Sequence, residues 1–200
     1  MRQFQTQKDY IKWIITLTLW QLFIVPSIAL SETPESDNIN YNFIKNTNGY
    51  HIKFKITIDA PIECLLSVVF EYSHLIHFTE SADKITLIKK GNDWNIVQYD
   101  YDKFLFRHIS TYKKILYKEK NLVTFEMIDN ELHESILPKI ISSKGYYKII
   151  SNPNNSTIEY FQEAVVEDKN LNIIYFQIIK NKAFLFAKKM KQYSQDECSL

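Results

Sequence analysis

The feature that most restricts the fold lies between residues 50 and 70, where the spacing of apolar side chains changes once and abruptly. Tyr50, Ile52, Phe54, Ile56 and Ile58 alternate with His51, Lys53, Lys55 and Thr57. Neighbouring side chains on a strand point to opposite faces, so this alternation predicts a strand with one buried side. Asp59-Ala60-Pro61 ends it, with Asp59 available as a helix cap and proline tolerated in a first helical turn. Ile62, Leu65, Leu66, Val69 and Phe70 then recur at helical spacing and make a single apolar stripe. A second short helical turn is predicted over 73–79.

The texture then stays strand-like. Strands are predicted over 83–89, 93–101, 105–118, 121–128, 145–151 and 156–166. The turn signals Lys90-Gly91-Asn92-Asp93, Glu119-Lys120-Asn121 and Asn152-Pro153-Asn154-Asn155 separate them. Residues 129–144 form the one longer connection, with a turn of helix expected over 132–137. A long helix is predicted over 171–193, where Tyr175, Ile179, Ala183, Phe186, Met190 and Tyr193 lie three or four apart and most lysines fall elsewhere. Its wide apolar face predicts deep packing against the sheet.

Ahead of the domain stands a leader. Arg2, Lys8 and Lys12 precede an apolar run from Trp13 to Val25, broken only by Thr16, Thr18 and Gln21; Pro26 and the small residues Ser27, Ala29 and Ser31 follow. A basic region, an apolar core and a small-residue cleavage site describe a secretory signal, with cleavage expected after Ala29 or Ser31. An uncleaved anchor is the alternative, but a span needs about 20 apolar residues. The expected organisation is a signal peptide over 1–31, a linker or arm over 32–49, a domain over 50–195 and a tail over 196–200. Localisation is expected to be periplasmic or secreted, with no stable membrane span after cleavage and a monomeric state.

Without residues 1–31 the chain keeps 21 basic and 22 acidic side chains. So balanced a charge recruits neither nucleic acid nor anionic lipid by its field. Cys64 and Cys198 could pair in an oxidising compartment. The favoured expectation is instead a buried thiol at Cys64 and a loose tail cysteine at Cys198.

Chemistry-bearing motifs are sparse. Gly49, Gly91 and Gly145 are the only glycines in the chain, too few for a glycine-rich phosphate cradle, and no cofactor is expected. Glu71, His74 and His77 share a helical face by spacing, but the pattern is a weak match to real metal sites and no metal is expected. No G-x-S-x-G elbow occurs. Tyr99, Tyr101, His108 and Tyr160 are the groups available for acid–base work, although a structural role is expected for each tyrosine.

The order of strand, helix pair, antiparallel run and long terminal helix resembles the helix-grip fold of the START-like, or SRPBCC, superfamily of polyketide cyclases and lipid-transfer domains. The carriers are Ile56-Thr57-Ile58-Asp59-Ala60-Pro61-Ile62-Glu63 and Phe70-Glu71-Tyr72-Ser73-His74-Leu75-Ile76-His77-Phe78. Lys144-Gly145-Tyr146-Tyr147-Lys148-Ile149 and Ser156-Thr157-Ile158-Glu159-Tyr160 resemble the last two strands. The resemblance implies an α+β fold, a curved antiparallel sheet of about seven strands gripping the terminal helix, with an apolar pocket between them. A lipocalin-like barrel is disfavoured, because the helical stripe interrupts the strands so early.

In such a fold the inward residues include Phe54, Ile56, Val97, Tyr99, Tyr101, Phe125, Met127, Tyr147 and Tyr160 from the sheet and Ile179, Ala183 and Phe186 from the helix. These twelve are the expected ligand contacts, the partner being a hydrophobic small molecule or lipid. A core filled by the same side chains is the alternative. Binding is expected ahead of catalysis; the rivals are a cyclase- or dehydratase-like enzyme on the same scaffold and a ligand-free envelope interaction module.

Overall fold

The computed structural model describes residues 39–79, 82–103, 106–133, 138–167 and 173–199. The expected leader, and residues 32–38 of the expected arm, lie outside them. The elements run β1 (Ile39–Asn46), β2 (Gly49–Ile58), α1 (Ile62–Phe70), α2 (Tyr72–Phe78), β3 (Lys84–Lys90), β4 (Trp94–Lys103), β5 (Phe106–Tyr117), a 3-10 turn (Lys118–Lys120), β6 (Leu122–His133), β7 (Ile140–Ser151), β8 (Ser156–Val166) and α3 (Ile173–Cys198). The strands form one antiparallel sheet in the order β1-β2-β8-β7-β6-β5-β4-β3. The sheet is curved and unclosed, and with the long C-terminal helix it makes a helix grip. Among the described residues no helix is long and apolar enough to cross a membrane.

Alternation sets the two faces. On β2, Tyr50, Ile52, Phe54, Ile56 and Ile58 are all buried, while Lys53 and Lys55 are exposed. Direct cross-strand partners share a face, so the registers carry this inner face across the sheet. One row runs Phe54, Tyr160, Tyr147, Val123; the next runs Ile52, Gln162, Gly145, Phe125, Lys114, Asn95. A bulge at Ile128 then shifts β6 against β5, bringing Asn130 opposite Ser110 and Leu132 opposite His108. At Gly145 an inward side chain has no room: a Cβ there would lie 2.0 Å from the Phe161 carbonyl oxygen and 2.5 Å from Phe125 Cζ. The Phe125 ring occupies the place a side chain would take.

The structure corrects the sequence reading in several places. Residues 39–46, expected to be part of a linker, are strand β1, so among the described residues the sheet has eight strands. Its Ile39, Tyr41 and Phe43 are half-buried while Asn40 and Asn42 are exposed. Tyr41 packs edge-on against Phe184 at 5.7 Å and donates its hydroxyl to the Lys180 carbonyl at 3.0 Å. Where a turn of helix was expected, residues 132–133 belong to β6; 134–137 lie outside the described residues. The Asp59 cap does not form, because Pro61 itself occupies the cap position of α1 and no side chain caps it.

The last helix also runs further than expected. It ends at Cys198, so residues 196–198 are helix, and Met190, Ser194 and Cys198 follow one another at four-residue intervals along its buried side. That extension carries Cys198 back to α1, where it forms a disulfide with Cys64 across a separation of 134 residues. The expected free thiol and loose tail cysteine are thus a bridge.

Candidate functional site

The space between sheet and α3 divides at a shelf of aromatic rings. Phe54 stacks on Tyr160 at 4.5 Å, and Tyr160 stacks on Phe125 at 5.8 Å. Tyr147 lies 5.0 Å from Tyr160, and Phe186 of α3 reaches down to within 5.5 Å of the same ring. On one side of the shelf the core is solid, with Ile56, Ile58, Val123, Ile149 and Ile158 buried, as are Leu65, Val68 and Val69 of α1 and Ala187 and Met190 of α3. On the other side lies a cavity of about 470 Å³, within the range of small-molecule sites.

The cavity wall is amphipathic. Tyr50, Tyr99, Tyr101, Tyr112, Tyr147, Tyr160 and Tyr175 line it together with Ile52, Phe125, Leu132, Ile140, Ile179 and Phe186. Burial pushes the phenols of Tyr50, Tyr99, Tyr101, Tyr112, Tyr147 and Tyr160 above their ordinary value, with Tyr175 raised to about 12. All of them therefore act as neutral hydrogen-bonding groups. Tyr160 donates to Gln162 Oε1 at 2.8 Å, and Gln162 Nε2 donates to Ser143 Oγ at 2.9 Å.

Strand β5 supplies the polar side of the wall. His108, Ser110, Tyr112 and Lys114 point inward at alternate positions and line the cavity. His108 stacks on Tyr101 at 5.5 Å, and its Nε2 is hydrogen-bonded to Asn130 Oδ1, whose amide in turn donates to the Ile140 carbonyl. Burial holds the His108 imidazole below its usual range, opposed by the Asn130 contact. Lys114 is only 2 % exposed and donates from Nζ to the Val69 carbonyl at the C-terminus of α1. Its cross-strand partner Asn95 donates to the next carbonyl, Phe70, at 3.0 Å. These two side chains satisfy orphan carbonyls of the helix end, where a cation is also favoured by the helix dipole. Burial nevertheless pulls the Lys114 ammonium down to about 7, with Glu71 partly opposing the fall.

Of the twelve residues expected to contact a ligand, eight lie on the wall: Tyr99, Tyr101, Phe125, Tyr147, Tyr160, Ile179, Ala183 and Phe186. Four do not. Phe54 forms the shelf from behind, stacked on Tyr160, and Ile56 belongs to the solid core. Val97 is fully buried off the wall, and Met127 sits half-buried beside the Ile128 bulge. The sequence reading left Tyr50, Ser110, Tyr112, Lys114 and Gln162 out of the site. For Ser110, Tyr112 and Lys114 the signal was present on β5, where these inward positions are polar and Ile109 and Ile115 occupy the other face.

The Glu71, His74 and His77 trio does not converge. Glu71 pairs with Lys90 at 2.8 Å, His74 Nδ1 is hydrogen-bonded to the Tyr193 hydroxyl at 2.7 Å, and His77 stacks on the Tyr193 ring at 4.7 Å. No group of metal-ligating side chains that could hold an ion is found among the described residues.

No protein-family model and no curated protein sequence matches the chain. Solved structures match the fold clearly at low identity. A STAR-related lipid transfer protein from Xanthomonas axonopodis superposes with a TM-score of 0.61 at 11% identity, covering 80% of this chain and 96% of its own. A START superfamily protein from Mycobacterium smegmatis gives 0.57 at 9%, covering 73% and 97%. An aromatase/cyclase from Streptomyces gives 0.53 at 9%, covering 74% and 89%. The fold is therefore the START-like, or SRPBCC, helix grip.

Proposed function

We propose that this protein is an exported carrier of a hydrophobic small molecule or lipid, held between the curved sheet and α3. The observation that carries the reading is the hollow of about 470 Å³ walled by aromatic and aliphatic side chains. A close-packed interior leaves few voids larger than a water molecule, so an amphipathic space of this size is a place for a ligand. Burial of ligand surface, at roughly 25 cal/mol per Å² before the costs of ordering, would drive binding. The likeness to a STAR-related lipid transfer protein supports the same reading.

Export to the periplasm or medium draws on the leader sequence and on the Cys64–Cys198 bridge, since disulfides persist in oxidising compartments. Native mass spectrometry of the purified protein tests the carrier role. A co-purified apolar ligand, or uptake of fatty-acid or sterol probes, is the expected result; failure on both counts contradicts it. N-terminal sequencing of the exported protein should find a start after Ala29 or Ser31.

A second reading is favoured by one feature. His108, hydrogen-bonded to Asn130 and stacked on Tyr101, sets an ionisable group on the wall of an apolar space, and an aromatase/cyclase shares the fold. A cyclase- or dehydratase-like enzyme would chemically change a bound ligand, which a carrier returns intact.

A further inference from the structure

Resting on the reading of the cavity as a ligand site, we propose that its ligand is an acidic amphiphile whose carboxylate pairs with Lys114. The charge of the wall is one-sided. Among the described residues the cavity is lined by Lys114, Lys182 and His108 but by no aspartate or glutamate. Lys182 and Ile178 are exposed and mark the open side, whereas Lys114 is 2 % exposed and sits under the end of α1.

The surroundings of Lys114 define what is missing. An ammonium has three N–H donors, and the Val69 carbonyl takes one. The Tyr147 ring lies 5.7 Å from Nζ and offers its π face. Phe125 stands opposite on β6 and Asn95 opposite on β4; Tyr112 precedes it on the inner face of β5. Among the described residues Glu71 is the carboxylate whose charge acts on Lys114, and it is bound to Lys90 at 2.8 Å. No ion pair is formed by Lys114 among the described residues. A buried ammonium without a counter-ion is unfavourable, and burial accordingly lowers its pKa to about 7. A ligand carboxylate supplies the counter-ion, while the apolar remainder of the ligand covers Phe125, Tyr147, Tyr160 and Ile179.

The discriminating experiment compares acids with their neutral counterparts. Tetradecanoate is titrated against tetradecanol, and naphthoate against naphthylmethanol, at about pH 6 and about pH 9, on either side of the lysine's titration. Burial holds His108 below its usual range and the wall phenols above theirs and draws Lys114 down to about 7, so substitution of Lys114 assigns the pH response. The acid of whichever pair binds should be tighter by at least ~10-fold at the lower pH, with the preference falling several-fold at the higher. Lys114→Met should bind acid and alcohol alike at both pH values. Should that variant not fold, Lys114→Arg decides instead: its charge persists at both pH values, so the acid preference should no longer fall at the higher pH. Equal binding of acid and alcohol, or a preference indifferent to pH and to the substitution, overturns the lysine pairing and leaves the carrier reading standing. Binding of none of the four compounds overturns both.

Discussion

The same sheet and the same helix make two different interiors on either side of the aromatic shelf. Below it, Ile56, Ile58, Ile149 and Ile158 are buried in one cluster with side chains of α1 and the C-terminal half of α3. Above it, Tyr99, Tyr101 and Tyr112 face Ile179 and Ala183 across a hollow. Two differences in sequence produce the contrast. The solid half is built from branched aliphatic residues, which interdigitate, and a second helix closes it. The hollow half is walled by tyrosines, whose hydroxyls keep them from collapsing into a dry core without partners, and by polar β5 residues that a filled core would not tolerate.

Substitutions that shorten side chains should separate the two halves most strongly. Ile158→Ala removes a fully buried side chain from the solid half and should cost about 4 kcal/mol in denaturant unfolding. Ile179→Ala on the cavity wall removes a contact that is already one-sided and should cost less than about 1.5 kcal/mol. Equal losses would mean that the hollow is packed in solution.

The disulfide sharpens the same contrast, because it ties α1 to the end of α3 wholly within the solid half. Replacing both cysteines by alanine should lower stability by about 3 kcal/mol, as a long closed loop is released in the unfolded chain. Thiol titration under denaturing, non-reducing conditions should find no free cysteine in the unaltered protein.

Lys114 gives the hollow half a pH dependence. Its pKa is about 7 when folded against 10.5 ordinarily. Between those values the unfolded chain holds the extra proton, so stability rises as pH climbs from about 7 and is lowest below it. The gain between pH 7 and 9 should be about 2 kcal/mol, and in Lys114→Met that slope should vanish.

The smallest effect is expected at the shelf. Tyr160→Phe keeps the stacked ring but removes the donor to Gln162 Oε1, at about 1 kcal/mol.

How much of this was legible from the residues follows the same division. The inward positions of β2, β7 and β8 could be read directly, because a filled core demands apolar side chains at every second place. Phe54 and Ile56 are inward as expected but do not line the cavity; alternation shows which face is inward, not where the interior is empty. On β5 the rule inverts. Lys114, Ser110 and His108 look like solvent-facing residues, and only the register against β4 and β6 turns them toward the hollow. Strand β1 was hidden by asparagine, which is depleted in strands, although Ile39, Tyr41 and Phe43 alternate. The last turn of α3 was hidden because its buried residues are Ser194 and Cys198, small or polar side chains that carry little hydrophobic signal.

Whether the space above the shelf receives a ligand is tested most directly by intermolecular nuclear Overhauser contacts from a bound fatty acid to assigned protein side chains. The expected contacts run to Tyr99, Tyr112, Ile179 and Phe186, with none to Ile56, Ile158 or Met190. Contacts confined to the outer surface, or reaching the solid half instead, would contradict it.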